Sequence, residues 1–223
     1  MQTFDEARAL LQDKAARGQL ATDTAPAVSG HLGLDALHIA DGVIGDLEAY
    51  RAAVLASSFQ TVTVGPLAFH GIAECTDPEL IAWITLHYPH AQPRMTFVRQ
   101  SPAGQVEPHF IHTDRDMGDW SGILYLTAQP AIGDGTSFWR DRETGATAST
   151  ATSAAALCAE AITWQQPDRW DVWATVKAQP NRLVLFPSTL FHSRAIFDNY
   201  GRGEDARLIQ VIFGTGSLHR GHA

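Results

Sequence analysis

Two residues that can bind a metal ion stand two positions apart in His112-Thr113-Asp114. If this segment is extended, residues i and i+2 face the same side, so the imidazole and the carboxylate point to one place. A third ligand must come from elsewhere in the chain. The best candidate is His192, which follows an apolar segment and Pro187. Asp116 offers an alternative carboxylate, but the two-residue spacing favours Asp114.

The three donors define a particular kind of metal centre. Two imidazoles and one carboxylate on one side of a metal leave three coordination positions open, an arrangement typical of non-haem Fe(II) oxygenases. The open positions can hold a bidentate cosubstrate and dioxygen together. A His-x-Asp pair alone is weak evidence, because such a pair is often only a hydrogen-bonded surface contact.

Several further segments between residues 94 and 214 make the pattern more specific. After the His-x-Asp motif and the strand that follows it come Gly133-Asp-Gly-Thr-Ser-Phe-Trp, Asn181-Arg-Leu-Val-Leu-Phe-Pro, His192-Ser and Arg207. Together these segments resemble the 2-oxoglutarate/Fe(II)-dependent dioxygenase superfamily, and most closely its small prolyl-hydroxylase-like members. The resemblance implies a double-stranded β-helix in which His112, Asp114 and His192 hold Fe(II), with 2-oxoglutarate and O2 as cosubstrates.

The resemblance also implies a site for the distal carboxylate of 2-oxoglutarate. In the superfamily a basic residue on the strand after the second ligand histidine binds this group. Arg207 occupies that place, although it lies fifteen residues after His192, which is farther than usual. Tyr125 matches a position that often forms a hydrogen bond to the same carboxylate. Arg202 is nearer to His192, but two glycines flank it, as is typical of an exposed loop.

The residues around Arg207 bear on whether its side chain is buried. Strand alternation places Arg207 on one face with Ile209, Val211 and Phe213. On that face an unpaired guanidinium would be costly to bury, and a bidentate carboxylate would offset the cost. The alternative is that the opposite face forms the core and that Arg207 is solvated at the start of its strand.

Three residues are candidates for the lining of a substrate pocket. Trp139 and Arg140 follow a predicted core strand, and Arg99 ends another. Tryptophan residues in such positions more often pack in the core than against a substrate. We nevertheless keep these three residues as the candidates for the lining of the pocket, with Arg99 after the other two.

The local pattern predicts one α+β domain that spans residues 1–223. Residues 1–91 are predicted to be mainly helical, with an opening helix over 1–20 and further helices over about 44–58 and 77–88. From residue 92 to residue 216 the hydrophobic period changes to two, which predicts a jelly-roll core on which the helices pack. The predicted strands are 95–99, 121–127, 136–139, 182–186 and 207–213, and a further helix is expected from about residue 153.

The charge balance excludes several classes of partner. Sixteen Lys and Arg residues against 24 Asp and Glu residues give a formal charge of −8 and a pI near 5.6. Such a chain repels polyphosphate backbones, so nucleic acid is not an expected partner. No apolar run approaches the roughly 18 residues of a membrane span, and the N-terminus does not resemble a signal peptide, so we expect a cytoplasmic protein without a membrane partner.

The leading interpretation is hydroxylation of a small molecule or an amino-acid side chain, coupled to decarboxylation of 2-oxoglutarate. Two alternatives use the same jelly roll. One is a metal-dependent hydrolase or cupin-type isomerase, in which the three ligands activate a water molecule. The absence of an obvious glutamate base beside the motif counts against it. The other is a non-catalytic domain that holds a ligand, and the intact ligand set counts against that one.

Overall fold

A computed structural model describes residues 33–64, 67–75, 77–107, 111–151 and 166–219 of the chain. β-strands are the main regular secondary structure in this part of the chain, and its two α-helices are short. The elements in chain order are β1 (His38–Asp41), α1 (Leu47–Leu55), β2 (Gln60–Val64), β3 (Leu67–Glu74), α2 (Pro78–His87), β4 (Ala91–Ser101), β5 (Trp120–Tyr125), β6 (Gly135–Asp141), β7 (Trp170–Lys177), β8 (Arg182–Pro187), β9 (His192–Arg194) and β10 (Arg207–Gly216).

The described strands form two antiparallel sheets. The larger sheet has the order β1-β8-β5-β10-β4-β3-β2, and the smaller sheet has the order β7-β6-β9. Every pairing in both sheets is antiparallel. Many of the neighbours are far apart in the sequence, as in a jelly roll, whose strands alternate between two sheets. The predicted jelly-roll core is therefore present.

Apolar side chains from both sheets pack against each other in the space between them. Phe186 of the larger sheet meets Phe138 of the smaller sheet edge to face, with 5.1 Å between the ring centroids. This interior cluster also contains Tyr125, Ala174, Val176, Val184, Leu190 and Ile209. The packed interior fixes the distance between the two sheets, so side chains from both can meet at one site.

The two helices cover the outer face of the larger sheet. Leu80 and Ile84 of α2 and Val54 of α1 are buried in a second core cluster with residues of the larger sheet. Each helix begins at an aspartate that accepts a hydrogen bond from the backbone. Asp46 accepts from the N–H of Ala49, and Asp77 accepts from the N–H of Glu79. The central strands of the larger sheet are therefore buried on both of their faces.

The prediction that residues 1–91 are mainly helical is wrong for the described part of this range. β1, β2 and β3 lie within it and extend the larger sheet at both edges, where β1 pairs with β8 and β3 pairs with β4. The two helices predicted over about 44–58 and 77–88 are present as α1 and α2, but their periodicity does not extend to the segments between them, which pair with other strands instead. The opening helix predicted over 1–20 and the helix from about residue 153 lie outside the described residues.

The prediction for the second half of the chain is closer to the structure. All five predicted strands are present as β4, β5, β6, β8 and β10. The sequence interpretation missed β7 and β9, and β9 is only three residues long. Within the described residues, no helix is long and apolar enough to cross a membrane.

Candidate metal centre

His192 begins β9, immediately after the turn that follows Pro187. Its side chain is buried, with 5% of its surface exposed. Nδ1 lies 2.9 Å from the carbonyl oxygen of Leu190, and since a carbonyl can only accept, Nδ1 carries the proton and donates it. This hydrogen bond fixes the tautomer and the ring orientation, so the lone pair of Nε2 faces the site.

His112 and Asp114 reach the site from a loop and not from a regular strand, which differs from the sequence interpretation. His112 forms an isolated β-bridge with His192, in which each backbone N–H donates to the carbonyl of the other residue at 3.0 and 2.9 Å. The N–H of Asp114 donates to the carbonyl of Ser188 at 2.8 Å. The backbone thus attaches the loop directly to the segment that carries His192.

The ligand atoms of the three side chains converge. Asp114 Oδ2 lies 3.2 Å from His192 Nε2, and Asp114 Oδ1 lies 3.7 Å from His112 Nε2. All three ligand atoms lie within 4.8 Å of one another, which is close enough to hold one metal ion. The exposed fraction rises from 5% for His192 to 15% for Asp114 and 23% for His112. The site is therefore deep at His192 and open at His112.

The electrostatics of the three residues favour a positive charge between them. Burial alone would raise the pKa of Asp114, but the imidazoles of His192 and His112 outweigh burial and hold that pKa well below its ordinary range. Burial works against the charged form of His192, yet the Asp114 carboxylate outweighs it and raises the pKa of His192. A cation between the carboxylate and the imidazoles, a proton or a metal ion, is stabilised by this arrangement.

Asp116, the alternative carboxylate, takes no part in this cluster. It lies in the short 3-10 helix Arg115–Met117 and its side chain is exposed. Asp114 stands at the N-terminal end of that helix and turns toward the histidines. The structure thus places Asp114 and not Asp116 beside the two imidazoles.

Aromatic side chains shield the buried side of the cluster. The ring centroid of Phe186 lies 4.8 Å from that of His192, and the ring centroid of Phe138 lies 6.4 Å from it. Both phenylalanines are fully buried. They keep water away from the inner side of His192 and leave access from the side of His112.

Arg207 lies on the inner face of β10 and is buried, with 4% of its surface exposed. Its Nε donates to both carboxylate oxygens of Asp134, at 3.0 and 3.2 Å. Burial opposes the charged form, but Asp134 outweighs it and raises the pKa of Arg207. The side chain is therefore not solvated at the strand start, and the carboxylate that offsets its burial comes from the protein itself. Both faces of β10 belong to the core.

Tyr125 also faces the interior between the sheets. Its hydroxyl shares a 2.7 Å hydrogen bond with the hydroxyl of Thr136, on the strand next to His192. Burial raises the pKa of Tyr125, so the phenol stays protonated and remains a hydrogen-bond donor. Tyr125 pairs with Ile209 across the sheet, two residues from Arg207 on the same strand.

Arg194 and Glu107 form a buried ion pair that the sequence interpretation missed. Arg194 Nη1 lies 2.8 Å from Glu107 Oε1, and the side chains are 10% and 7% exposed. Glu107 also contacts the guanidinium of Arg99 and accepts a hydrogen bond from Asn199. The spacing could have revealed Arg194, because His192-Ser193-Arg194 repeats the two-residue spacing of His112 and Asp114.

These side chains form one buried group, which we call the arginine cluster: Arg99, Glu107, Asp134, Arg194 and Arg207. Burial works against the carboxylate of Glu107, but Arg194 and Arg99 outweigh it and lower the pKa of Glu107 to about 2. Burial and then the neighbouring Arg207 lower the pKa of Arg194 to about 9. The cluster contains three cations and two anions. Arg99, a predicted pocket residue, thus lies in this cluster.

The other predicted pocket residues lie elsewhere. Trp139 is fully buried in a third core cluster on the other side of β6, and its indole N–H donates to Ser193 Oγ at 2.9 Å. The prediction that Trp139 lines the pocket is wrong, since neighbouring residues of a strand face opposite sides. Arg140 has a half-exposed side chain beside Asp171. Arg202 lies on an exposed loop.

A family model provides the first comparison with known proteins. Residues 90–208, just over half of the chain, match the model of DUF6445, a family of unknown function. This protein belongs to the DUF6445 family. None of the curated proteins has a sequence that matches the chain.

Solved structures show which fold the DUF6445 protein shares. The non-haem alpha-ketoglutarate-dependent carbocyclase SnoK of nogalamycin biosynthesis is 16% identical, with a TM-score of 0.51, and the match covers 86% of this chain and 88% of SnoK. HygX from Streptomyces hygroscopicus, solved with iron bound, is 11% identical over 79% of this chain and 80% of its own, with a TM-score of 0.47. At these identities the similarity to SnoK supports the jelly-roll fold of the DUF6445 protein.

Proposed function

We propose that this protein is a non-haem Fe(II) enzyme that couples oxidation of a small molecule or an amino-acid side chain to decarboxylation of 2-oxoglutarate. The observation that carries the proposal is the convergence of His112, Asp114 and His192 at one point inside a jelly roll. Two imidazoles and one carboxylate on one side of a metal leave three positions for other ligands.

The residues present fit Fe(II) on two counts. Mixed nitrogen and oxygen donors suit a divalent transition metal, and the carboxylate is stabilised in its charged form by its surroundings. The proton on His192 Nδ1 leaves Nε2 free to bind a metal, because Nδ1 already donates to Leu190. In its bound state Fe(II) would supply the redox chemistry that lets O2 react with a C–H bond.

The proposed overall reaction consumes O2 together with two organic substrates, 2-oxoglutarate and the compound that is oxidised. One oxygen atom of O2 enters succinate as 2-oxoglutarate loses CO2, and the other enters the C–H bond of the second substrate to give an alcohol. Each substrate contributes two of the four electrons that reduce O2. Hydroxylation is the simplest outcome of this sequence.

The protein's own residues would bind and orient the 2-oxoglutarate. Both hydrogen bonds of Arg207 to Asp134 come from Nε, so its two Nη groups remain available for the distal carboxylate. Asp134 holds the guanidinium in place before the cosubstrate arrives. The Tyr125 hydroxyl, a donor held by Thr136, lies on the same inner face. Phe138 and Phe186 exclude water from the inner side of His192.

Release of succinate tests the proposal. Purified protein supplied with Fe(II), ascorbate, O2 and labelled 2-oxoglutarate should form succinate, and a panel of small molecules and amino acids should reveal substrates that increase the rate. Asp114→Ala should lower succinate formation to background, because it removes a ligand. Asp116→Ala, the same change two residues away on an exposed side chain, should keep the wild-type rate.

A different outcome would favour another function. If the metal-loaded protein forms no succinate with any substrate but hydrolyses an ester or a phosphate without O2, the metal-dependent hydrolase is the better assignment. In that case Asp114→Ala would abolish hydrolysis.

A further inference from the structure

The arginine cluster has one more positive charge than negative charge among the described residues. Asp134 balances Arg207, and Glu107 lies between Arg99 and Arg194. One carboxylate thus serves two guanidinium groups. A buried charge without a full counter-charge is costly, so an anion from outside the protein would stabilise this cluster.

Arg194 is the member of the cluster without hydrogen-bond partners. Its side chain is nine-tenths buried, yet Nε, Nη1 and Nη2 all lack a partner among the described residues. Nη1 is near Glu107, but its N–H does not point at the carboxylate oxygen in hydrogen-bond geometry. By contrast, Arg207 donates to Asp134 and Arg99 donates to Glu107. The three nitrogen atoms of the Arg194 guanidinium are therefore buried donors that can still form hydrogen bonds.

The position of Arg194 identifies which acceptor would reach it. Arg194 and His192 lie two residues apart on β9, so their side chains share a face about 6.6 Å apart along the strand. Across the small sheet Arg194 pairs with Thr136, whose hydroxyl meets that of Tyr125. A ligand that binds the metal beside His192 and extends along the strand would bring its far end to Arg194.

We propose that Arg194 binds the distal carboxylate of 2-oxoglutarate together with Arg207, and that this carboxylate neutralises the excess charge of the arginine cluster. The inference rests on the proposed function. Arg207 contributes donors already oriented by Asp134, and Arg194 contributes N–H groups that have no hydrogen-bond partner among the described residues. A guanidinium suits this role because its planar N–H groups match the two oxygens of a carboxylate.

Binding of two 2-oxo acids by the metal-loaded protein tests the inference. Calorimetry on the Ni(II)-loaded protein would measure the dissociation constants of 2-oxoglutarate and of 2-oxopentanoate, which has five carbons but no distal carboxylate. The ratio of the two constants isolates the contribution of that carboxylate. In Arg194→Gln the preference for 2-oxoglutarate should fall by about 10-fold to about 150-fold, whereas affinity for 2-oxopentanoate should stay within about threefold.

Two further variants serve as controls. Arg202→Gln makes the same change in charge on an exposed loop and should keep the wild-type preference. Arg194→Lys keeps the charge and should retain part of the preference, which also covers the case in which Arg194→Gln does not fold. If Arg194→Gln keeps the wild-type preference, the inference is overturned and the proposed function stays intact. If Arg194→Gln does not fold, wild-type preference in Arg194→Lys overturns the inference in the same way. Failure of the wild-type protein to bind either acid would overturn both.

Discussion

Glu107 shows how one carboxylate can hold a buried charge cluster together. It contacts Arg99 and Arg194 and accepts a hydrogen bond from Asn199, while only 7% of its side chain is exposed. Burial by itself would favour the neutral acid. The arginines reverse that preference and lower the pKa of Glu107 from 4.5 to about 2.

This shift predicts a dependence of stability on pH. A carboxyl group with a lower pKa in the folded state stabilises the fold above its unfolded pKa, and this contribution is lost as the pH falls toward the folded pKa. Glu107 should therefore contribute on the order of 3 kcal/mol above about pH 5, and this should disappear between about pH 4.5 and pH 2. The difference in unfolding free energy between the wild type and Glu107→Gln, measured by urea denaturation, should shrink over that range.

The exposed residue Glu204 provides a matched control for this experiment. Glu204→Gln should reproduce the wild-type pH profile. A constant difference between the wild type and Glu107→Gln from pH 6 to pH 2.5 would contradict the charge pairing described for Glu107.

At the residue scale, the sequence identifies the candidate metal ligands, but it does not show which charged residues form ion pairs with each other. The spacing of His112 and Asp114 predicts that they act together, and the structure brings them to His192. The spacing does not reveal that Asp134 pairs with Arg207, because 73 residues separate the two in the sequence. Ion pairs over such distances depend on the folded sheet and leave no local pattern.

Strand β10 shows how an element positions the site. Its inner face carries Arg207 and Ile209, and its outer face packs Leu208 and Ile212 against the helix-covered cluster. Near its end, between Phe213 and Gly214, the pairing with β4 shifts by one residue. Trp120 fills the space next to Gly214, and its indole N–H donates to the carbonyl of Thr215.

A methyl group at Gly214 should destabilise this part of the sheet. A Cβ atom at this position would lie 2.0 Å from Cζ2 of Trp120 and 2.6 Å from the carbonyl oxygen of Gln92. The ring is fully buried and cannot move away, so Gly214→Ala should lower the free energy of unfolding by about 3 kcal/mol or more. Chemical denaturation monitored by circular dichroism would measure the loss.

Gly45 provides a comparison with the same substitution. A Cβ atom there would meet only Oε1 of Glu79, at 3.1 Å, which accepts a hydrogen bond from the Gly45 N–H. The end of this side chain can shift, so Gly45→Ala should cost at most that hydrogen bond, about 1 kcal/mol. Equal losses in the two variants would mean that the close packing of Trp120 against Gly214 is not a source of stability.

At the element scale, the strands that were predicted are those whose apolar run stands between clear turn residues, whereas β2 and β7 carry β-branched residues and were still missed. The five predicted strands carry β-branched or aromatic runs between turn residues. β9 has three residues and no such run, yet it carries both His192 and Arg194. β1 forms at the sheet edge because β8 offers its backbone groups there.

The arrangement of the two sheets explains why His112 and His192, which are 80 positions apart in the sequence, lie next to each other. His112 lies in the loop between β4 and β5, and His192 lies at the start of β9, on the opposite sheet from those two strands. The backbone bridge between the two histidines joins this loop to the smaller sheet. The resemblance to the 2-oxoglutarate/Fe(II)-dependent dioxygenase superfamily predicted that the two histidines meet. Hydrophobic periodicity alone predicts strands but not the order in which they pair.

The central claim is that the three side chains hold a metal to which a 2-oxo acid binds directly. Anaerobic addition of 2-oxoglutarate to the Fe(II)-loaded protein, followed by visible absorption spectroscopy, tests it most directly. We predict a weak charge-transfer band whose maximum intensity corresponds to one Fe(II) bound per chain. The band should be absent in Asp114→Ala and retained in Asp116→Ala. Stoichiometric Fe(II) binding without this band, or a band of equal strength in Asp114→Ala, would contradict the account.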